Sequence, residues 1–234
     1  MPDNTSDHAD RKALFCFGFG YTAAYFAHFL KQQGQWDIAG TTRDPAKKEA
    51  MKTGGIRPYL FDYNTPLADP YFVLKDITHI LISTPPDDAG DPSFLIHGED
   101  IARMPNLRWL GYLSTTGVYG DRGGGKVHEN SEKRPTSKRG SRRARAEDQW
   151  LSLYQQYGTP VHIFRLAGIY GPGRSAIDSV RAGTARRIDK PGHAFNRTHV
   201  HDIIQVLWAS ILRPNPGAAY NVCDDHPAPS HELI

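Results

Sequence analysis

The chain has 234 residues, 39% of them hydrophobic and 23% charged, with a formal net charge of +3. That composition supports a sizeable apolar core and excludes an intrinsically disordered chain. No run approaches the roughly 18 apolar residues of a membrane span, and two distant cysteines, Cys16 and Cys223, exclude a disulfide framework and fit a reducing cytoplasm.

Residues 1–12, MPDNTSDHADRK, are polar, lack the apolar segment of a secretory signal and are expected to form a disordered leader. The run ALFCF (13–17) then suits a strand buried on both faces. Ala23, Phe26, Ala27 and Leu30 follow at helical spacing, Gly34 marks a stop, and WDIAGTT (36–42) is a second strand. Between the first strand and the helix lie Gly18, Phe19, Gly20, Tyr21 and Thr22, with Ala23 three positions after Gly20. This strand–glycine turn–helix–strand unit is the context of a dinucleotide-binding turn. Gly18 would permit the tight turn, Gly20 would let backbone approach a pyrophosphate, and Ala23 would let the helix pack closely. The free N–H groups near Tyr21 and Thr22 would favour the anion. The alternative is a plain turn with no ligand.

Further strands are expected at 57–61, 78–84, 107–115, 160–167 and 218–222, with helices at 142–158 and 200–212. Strands alternating with helices predict an α/β fold, a Rossmann-type doubly wound parallel sheet. Residues 13–234 are read as one NAD(P)-binding domain, with elements of a small, incomplete or truncated substrate lobe after about 168. Thr41 and Thr42 end the second strand where a carboxylate would hold a ribose 2′-hydroxyl, and Arg43 follows. A guanidinium grips phosphate, so NADP is favoured over NAD; the alternative is an arginine paired with Asp44. Asp62 would accept from the adenine amino group or cap a helix, and Thr84, Pro85 and Pro86 would wall the ribose or form a plain turn.

The segments STTGVYGD (114–121), FRLAGIYGPGR (164–174), THVHDI (198–203) and YNVCDD (220–225) make the chain resemble the extended and atypical short-chain dehydrogenase/reductases over about residues 13–230. That family includes the NAD(P)-dependent epimerase/dehydratase group of nucleotide-sugar enzymes. The resemblance implies a Ser or Thr that bonds the substrate oxygen, a Tyr that exchanges its proton, and a Lys four residues later that lowers the Tyr pKa and holds the ribose. Thr115 matches the hydroxyl position, with a strand-end turn residue as its alternative. Counting back from Glu147 puts Arg143 at the lysine position and Arg139 at the tyrosine position, and no tyrosine lies between Tyr119 and Tyr154. An arginine cannot supply a proton near neutral pH. Arg143 would neutralise charge and contact the ribose, and Arg139 would bind an anionic substrate, unless both are solvated. Tyr119, Thr115 or a water polarised by Arg143 remain as proton sources.

The resemblance also implies a further helix and strands beyond YNVCDDHPAPSHELI, with Ser230 as the cap of that helix. It sets aside a metal reading of His199, His201 and Asp202 in favour of a strand-to-helix junction. The cations from Lys133 to Arg145 are expected to be a solvated, partly mobile loop and helix start; they lack the interleaved aromatics of a single-strand nucleic-acid binder. The function expected is therefore an NADP-dependent oxidoreductase or epimerase acting on a sugar or small polar carbonyl or alcohol. Its partner would be a small-molecule substrate, with no membrane and no nucleic acid, and a homodimer is compatible. The competing expectation is a catalytically weak NADP-binding sensor or regulatory module.

Overall fold

The computed structural model describes residues 12–185 and 194–229. Residues 1–11 of the expected leader, and the cap expected at Ser230, lie outside the described residues. The elements are β1 (Lys12–Phe17), α1 (Tyr21–Gln32), β2 (Trp36–Thr42), α2 (Pro45–Thr53), β3 (Arg57–Leu60), α3 (Pro70–Leu74), β4 (His79–Ile82), α4 (Pro92–Ala102), β5 (Trp109–Thr115), a single turn of 3-10 helix (Thr116–Tyr119), α5 (Lys138–Tyr157), β6 (Val161–Leu166), β7 (Gly168–Tyr170), α6 (Ala176–Arg181), β8 (Arg197–His199), α7 (Val200–Leu212) and β9 (Ala219–Val222). Lys12, counted with the leader in the sequence, is the first residue of β1.

Seven strands form one parallel sheet in the order β3-β2-β1-β4-β5-β6-β9. β1 is the reason the sheet is covered on both sides. Leu14 and Cys16 join a cluster with Phe26 and Leu30 of α1, Met51 of α2 and Ile203 and Leu207 of α7. Ala13, Phe15 and Phe17 point the other way, to Leu74 of α3, Ile101 of α4 and Trp150 of α5. Burial also pushes the Cys16 thiol up, so it stays protonated and inert. The chain reverses direction across the sheet between β1 and β4, and ligands of such sheets bind outside the carboxyl ends at that switch point.

Three helices begin on the same dipeptide. Asp44-Pro45, Asp69-Pro70 and Asp91-Pro92 start α2, α3 and α4, each with the aspartate as N-cap and the proline in the first turn. α5 starts four residues earlier than periodicity alone indicated, because Ser137 accepts from the Gly140 N–H and caps it. After Gly168 the chain leaves the main sheet. There β7 and β8 pair parallel, Gly168 opposite Arg197, with α6 between them in sequence. No helix among the described residues is long and apolar enough to cross a membrane.

Candidate nucleotide cleft and the neighbouring strand ends

A cleft of about 720 Å³ opens at the carboxyl ends of β1, β2, β3 and β4. Its floor is the glycine turn. Gly18 has φ +82°, a conformation that suits glycine, and a Cβ there would lie 2.9 Å from the Thr84 nitrogen. Its N–H donates to Thr41 Oγ1 at 2.8 Å, and the Phe19 N–H donates to the Thr41 carbonyl at 2.7 Å. β2 therefore holds the turn in place. Gly20 is different. A Cβ there would meet only Ser83 Oγ, 3.9 Å away, so the space before it is open. Gly20 is also the N-cap of α1 and supplies no side chain to that helix start. Helix N–H groups without a side-chain cap, beside open space, fit a phosphate. Ala23 is fully buried, as close packing of α1 requires.

Gly18, Phe19, Gly20, Arg43, Asp62, Thr84 and Pro85 all line the cleft. Tyr21 lines a second groove of about 410 Å³ between α1 and α2, and Thr22 is buried within α1. Arg43 is exposed and has no ion-pair partner among the described residues, because Asp44 is engaged in capping α2 through the Ala46 N–H. Asp62 caps no helix; its carboxylate accepts from the Asn64 N–H at 2.8 Å in a tight turn. Thr84 shares a 2.7 Å hydroxyl bond with Ser93. Behind it the buried Asp91 caps α4 and accepts from Trp150 Nε1 at 3.1 Å. Burial pushes the Asp91 carboxyl up, and these hydrogen bonds oppose the shift.

The outer wall was not foreseen from the sequence. Tyr63, next to Asp62, donates to Asp87 Oδ1 at 3.0 Å, and burial together with that bond pushes its phenol up to about 12. From the other side Arg142 of α5 pairs with Asp88 at 2.6 Å, and Arg145 donates to the Asp88 carbonyl at 3.0 Å. The segment from Pro85 to Asp91 is thus clasped between the β3 end and α5, with Arg142 itself lining the cleft. The basic run is correspondingly less free than expected. Lys133 pairs with Asp148, Arg134 with Glu132 and Arg142 with Asp88.

The strand ends of β5 and β6 look different. Thr115 caps the 3-10 turn by accepting from the Gly117 N–H at 3.1 Å, which leaves its own hydroxyl hydrogen to donate. Gly140 lets α5 press on this turn, since a Cβ there would sit 2.6 Å from the Gly117 carbonyl oxygen. Arg143 does not line the cleft; it donates to the Leu113 carbonyl and lies 5.7 Å over the Tyr112 ring. Arg139 is exposed on the first turn of α5. Tyr119 is buried; its hydroxyl donates to Asn221 Oδ1 and accepts from Arg165, both at 2.7 Å. That removes it as a proton source. Arg165 also pairs with the fully buried Glu147 at 2.9 Å, and Glu147 accepts from Ser114 Oγ at 2.5 Å. Near β8, His199 Nδ1 accepts from the His201 N–H and caps α7. Among the described residues no group of three or more His, Cys, Asp or Glu is gathered as a metal site.

No family model matches the chain. It is 48% identical, with a TM-score of 0.85, to a functionally unknown conserved protein of Silicibacter pomeroyi DSS, over 94% of this chain and 75% of that one. Protein YeeZ of Escherichia coli K12 is 29% identical over 231 residues, 94% of this chain and 79% of YeeZ. The dTDP-glucose 4,6-dehydratase of Bacillus anthracis, solved in complex with NAD, has a TM-score of 0.78 at 18% identity, over 95% of this chain and 78% of that one, and shares its fold.

Proposed function

We propose that the chain is a member of the extended short-chain dehydrogenase/reductase family, an NADP-dependent oxidoreductase or epimerase acting on a sugar or small polar carbonyl or alcohol, with a nucleotide sugar as the first substrate class to try. The observation that carries this reading is the open space before Gly20, at the start of a helix with no side-chain cap. The residues present fit the dinucleotide. The backbone from Gly18 to Thr22 would hold the pyrophosphate, Arg43 the 2′-phosphate, Asp62 the adenine amino group, and Thr84 with Pro85 the ribose. The nicotinamide, when bound, supplies the hydride acceptor or donor.

Thr115 donates its free hydroxyl hydrogen to the substrate oxygen and stabilises charge that develops there. Arg143 holds the end of β5 through the Leu113 carbonyl, and its charge favours an oxyanion nearby. Arg139 supplies a cation for an anionic substrate. Calorimetric titration is the direct test. NADPH is expected to bind about tenfold tighter than NADH, a gap of about 1.4 kcal/mol, and Arg43→Ala to remove most of that gap. Absence of binding to either dinucleotide overturns the reading.

A sensor or regulatory role is the second reading, favoured by one observation: the tyrosine position carries Arg139, and the phenol of Tyr119 is committed to Asn221 and Arg165. Tight NADPH binding with no turnover across a panel of nucleotide sugars and simple carbonyls would select it.

A further inference from the structure

A single side chain ties the glycine turn to a segment distant in sequence. Tyr21 is the first residue of α1, and its hydroxyl donates to the Pro172 carbonyl at 3.0 Å, across 151 positions. Pro172 follows β7, where the chain has already left the main sheet. The approach is close. A Cβ at Gly171 would sit 2.7 Å from the Tyr21 hydroxyl oxygen and 2.8 Å from Val200 Cγ1 of α7. The Arg174 guanidinium lies 5.6 Å over the Tyr21 ring. Burial pushes the Tyr21 phenol above its ordinary value, so it remains a donor at neutral pH.

The neighbouring bonds of this segment are local. The Arg174 N–H donates back to the Gly171 carbonyl at 2.9 Å, and Ser175 and Asp178 cap each other at the start of α6. The phenol of Tyr21 therefore anchors to α1 a turn whose remaining bonds stay within itself and α6. At its other end Tyr21 belongs to the glycine turn. Gly20, the N-cap, supplies no side chain, so the Tyr21 N–H is among the donors that an anion would meet there. An anion that fixes this backbone also fixes the direction of the phenol. Ordering one partner lowers the entropic cost of ordering the other.

We propose that Tyr21 is a positioning residue that carries dinucleotide occupancy of the glycine turn to the segment 171–174, so that a filled nucleotide site orders the part of the chain outside the main sheet. The proposal rests on the dinucleotide reading above and goes beyond it, because it couples that site to a second region through one hydroxyl.

The test is hydrogen–deuterium exchange over residues 168–182 of the full chain, alone and saturated with NADPH or NADH, whichever calorimetry shows to bind tighter. In the wild type the dinucleotide should slow exchange there by about fivefold, the scale of one net hydrogen bond. In Tyr21→Phe, which keeps the ring, the same saturation should slow it by less than about twofold. Arg174→Gln, which keeps the phenol, should retain the wild-type response. A purely structural tyrosine predicts faster exchange in Tyr21→Phe with and without ligand, and an unchanged ratio between them; that result overturns the proposal. So does a loss of the response in Arg174→Gln that Tyr21→Phe does not share, which moves the coupling to the guanidinium. A wild type that binds the dinucleotide without slowing exchange in 168–182 overturns the coupling and leaves the dinucleotide reading standing. A wild type that binds neither dinucleotide overturns both.

Discussion

The two halves of the sheet finish their strands in contrasting ways. In the β3-β2-β1-β4 half the carboxyl ends are left open: Gly20 faces empty space, and Arg43 and Lys47 have no ion-pair partners among the described residues. In the β5-β6-β9 half the buried charged groups are satisfied internally. Ser114, Glu147, Arg165, Tyr119 and Asn221 form one connected chain of hydrogen bonds, with Lys133 3.5 Å from Glu147. A half that binds a ligand keeps its donors and cations unsatisfied until the ligand arrives. A half whose ionisable groups are buried has to satisfy them itself, because an unpaired buried charge is strongly destabilising. On the proposed reading, dinucleotide binding falls to the open half and proton transfer to the satisfied one, so an arginine at the expected tyrosine position leaves the open cleft unchanged.

The largest expected effect lies in the satisfied half. Arg165→Met strands Glu147 and should lower unfolding free energy by about 3–5 kcal/mol in urea titrations. The folded fraction should still bind NADPH within about twofold of wild type. A loss below about 1 kcal/mol would show that the network is not what stabilises this half. Next comes the open half. Gly20→Val should weaken NADPH by more than about 100-fold, about 2.7 kcal/mol, with little change in ligand-free stability, since its Cβ meets no close atom. Gly18→Val should instead destabilise the fold, because of its positive φ and the 2.9 Å approach to Thr84. If both variants behave alike, the distinction between a structural and a binding glycine is wrong.

At the seam between the halves, His79 of β4 is buried against Trp36. Burial, then the charges of Arg108 and Lys12, pull its pKa down from 6.5 to about 4. The unfolded chain therefore binds a proton that the folded protein refuses. Stability should be fully present above about pH 6.5, fall as pH drops towards 4, and lose about 3 kcal/mol over that window. Replacing His79 with Gln should flatten the melting-temperature profile there. A profile unchanged by the substitution assigns the acid sensitivity elsewhere. The smallest expected effect concerns chemistry. Thr115→Ala should reduce whatever turnover exists by more than about tenfold, measured as NADPH oxidation, without altering NADPH affinity. Undiminished turnover would remove Thr115 from the reaction.

By itself the sequence determined the fold class, the glycine turn and most of the parallel sheet. These rest on periodicity and on residues adjacent in the chain: a buried run before Gly18, an apolar stripe along α1, and the whole of β2 and α7 bounded as expected. It also carried a signal that went unused, the three Asp-Pro pairs that open α2, α3 and α4, where a capping carboxylate and a preset φ act within a few residues. Tertiary structure alone decided the fate of the polar groups. Arg142 reaches Asp88 across 54 positions and Tyr119 reaches Asn221 across 102. Neither partnership leaves a mark on local spacing. Thus α5 presents Arg142 to the cleft and turns Arg143 to the Leu113 carbonyl, and Lys133, Arg134 and Arg142 of the basic run are ion-paired. The physical reason is that hydrophobic pattern and capping are short-range properties of the chain. A charge's role depends on which distant group the packed sheet and helices bring within hydrogen-bond reach.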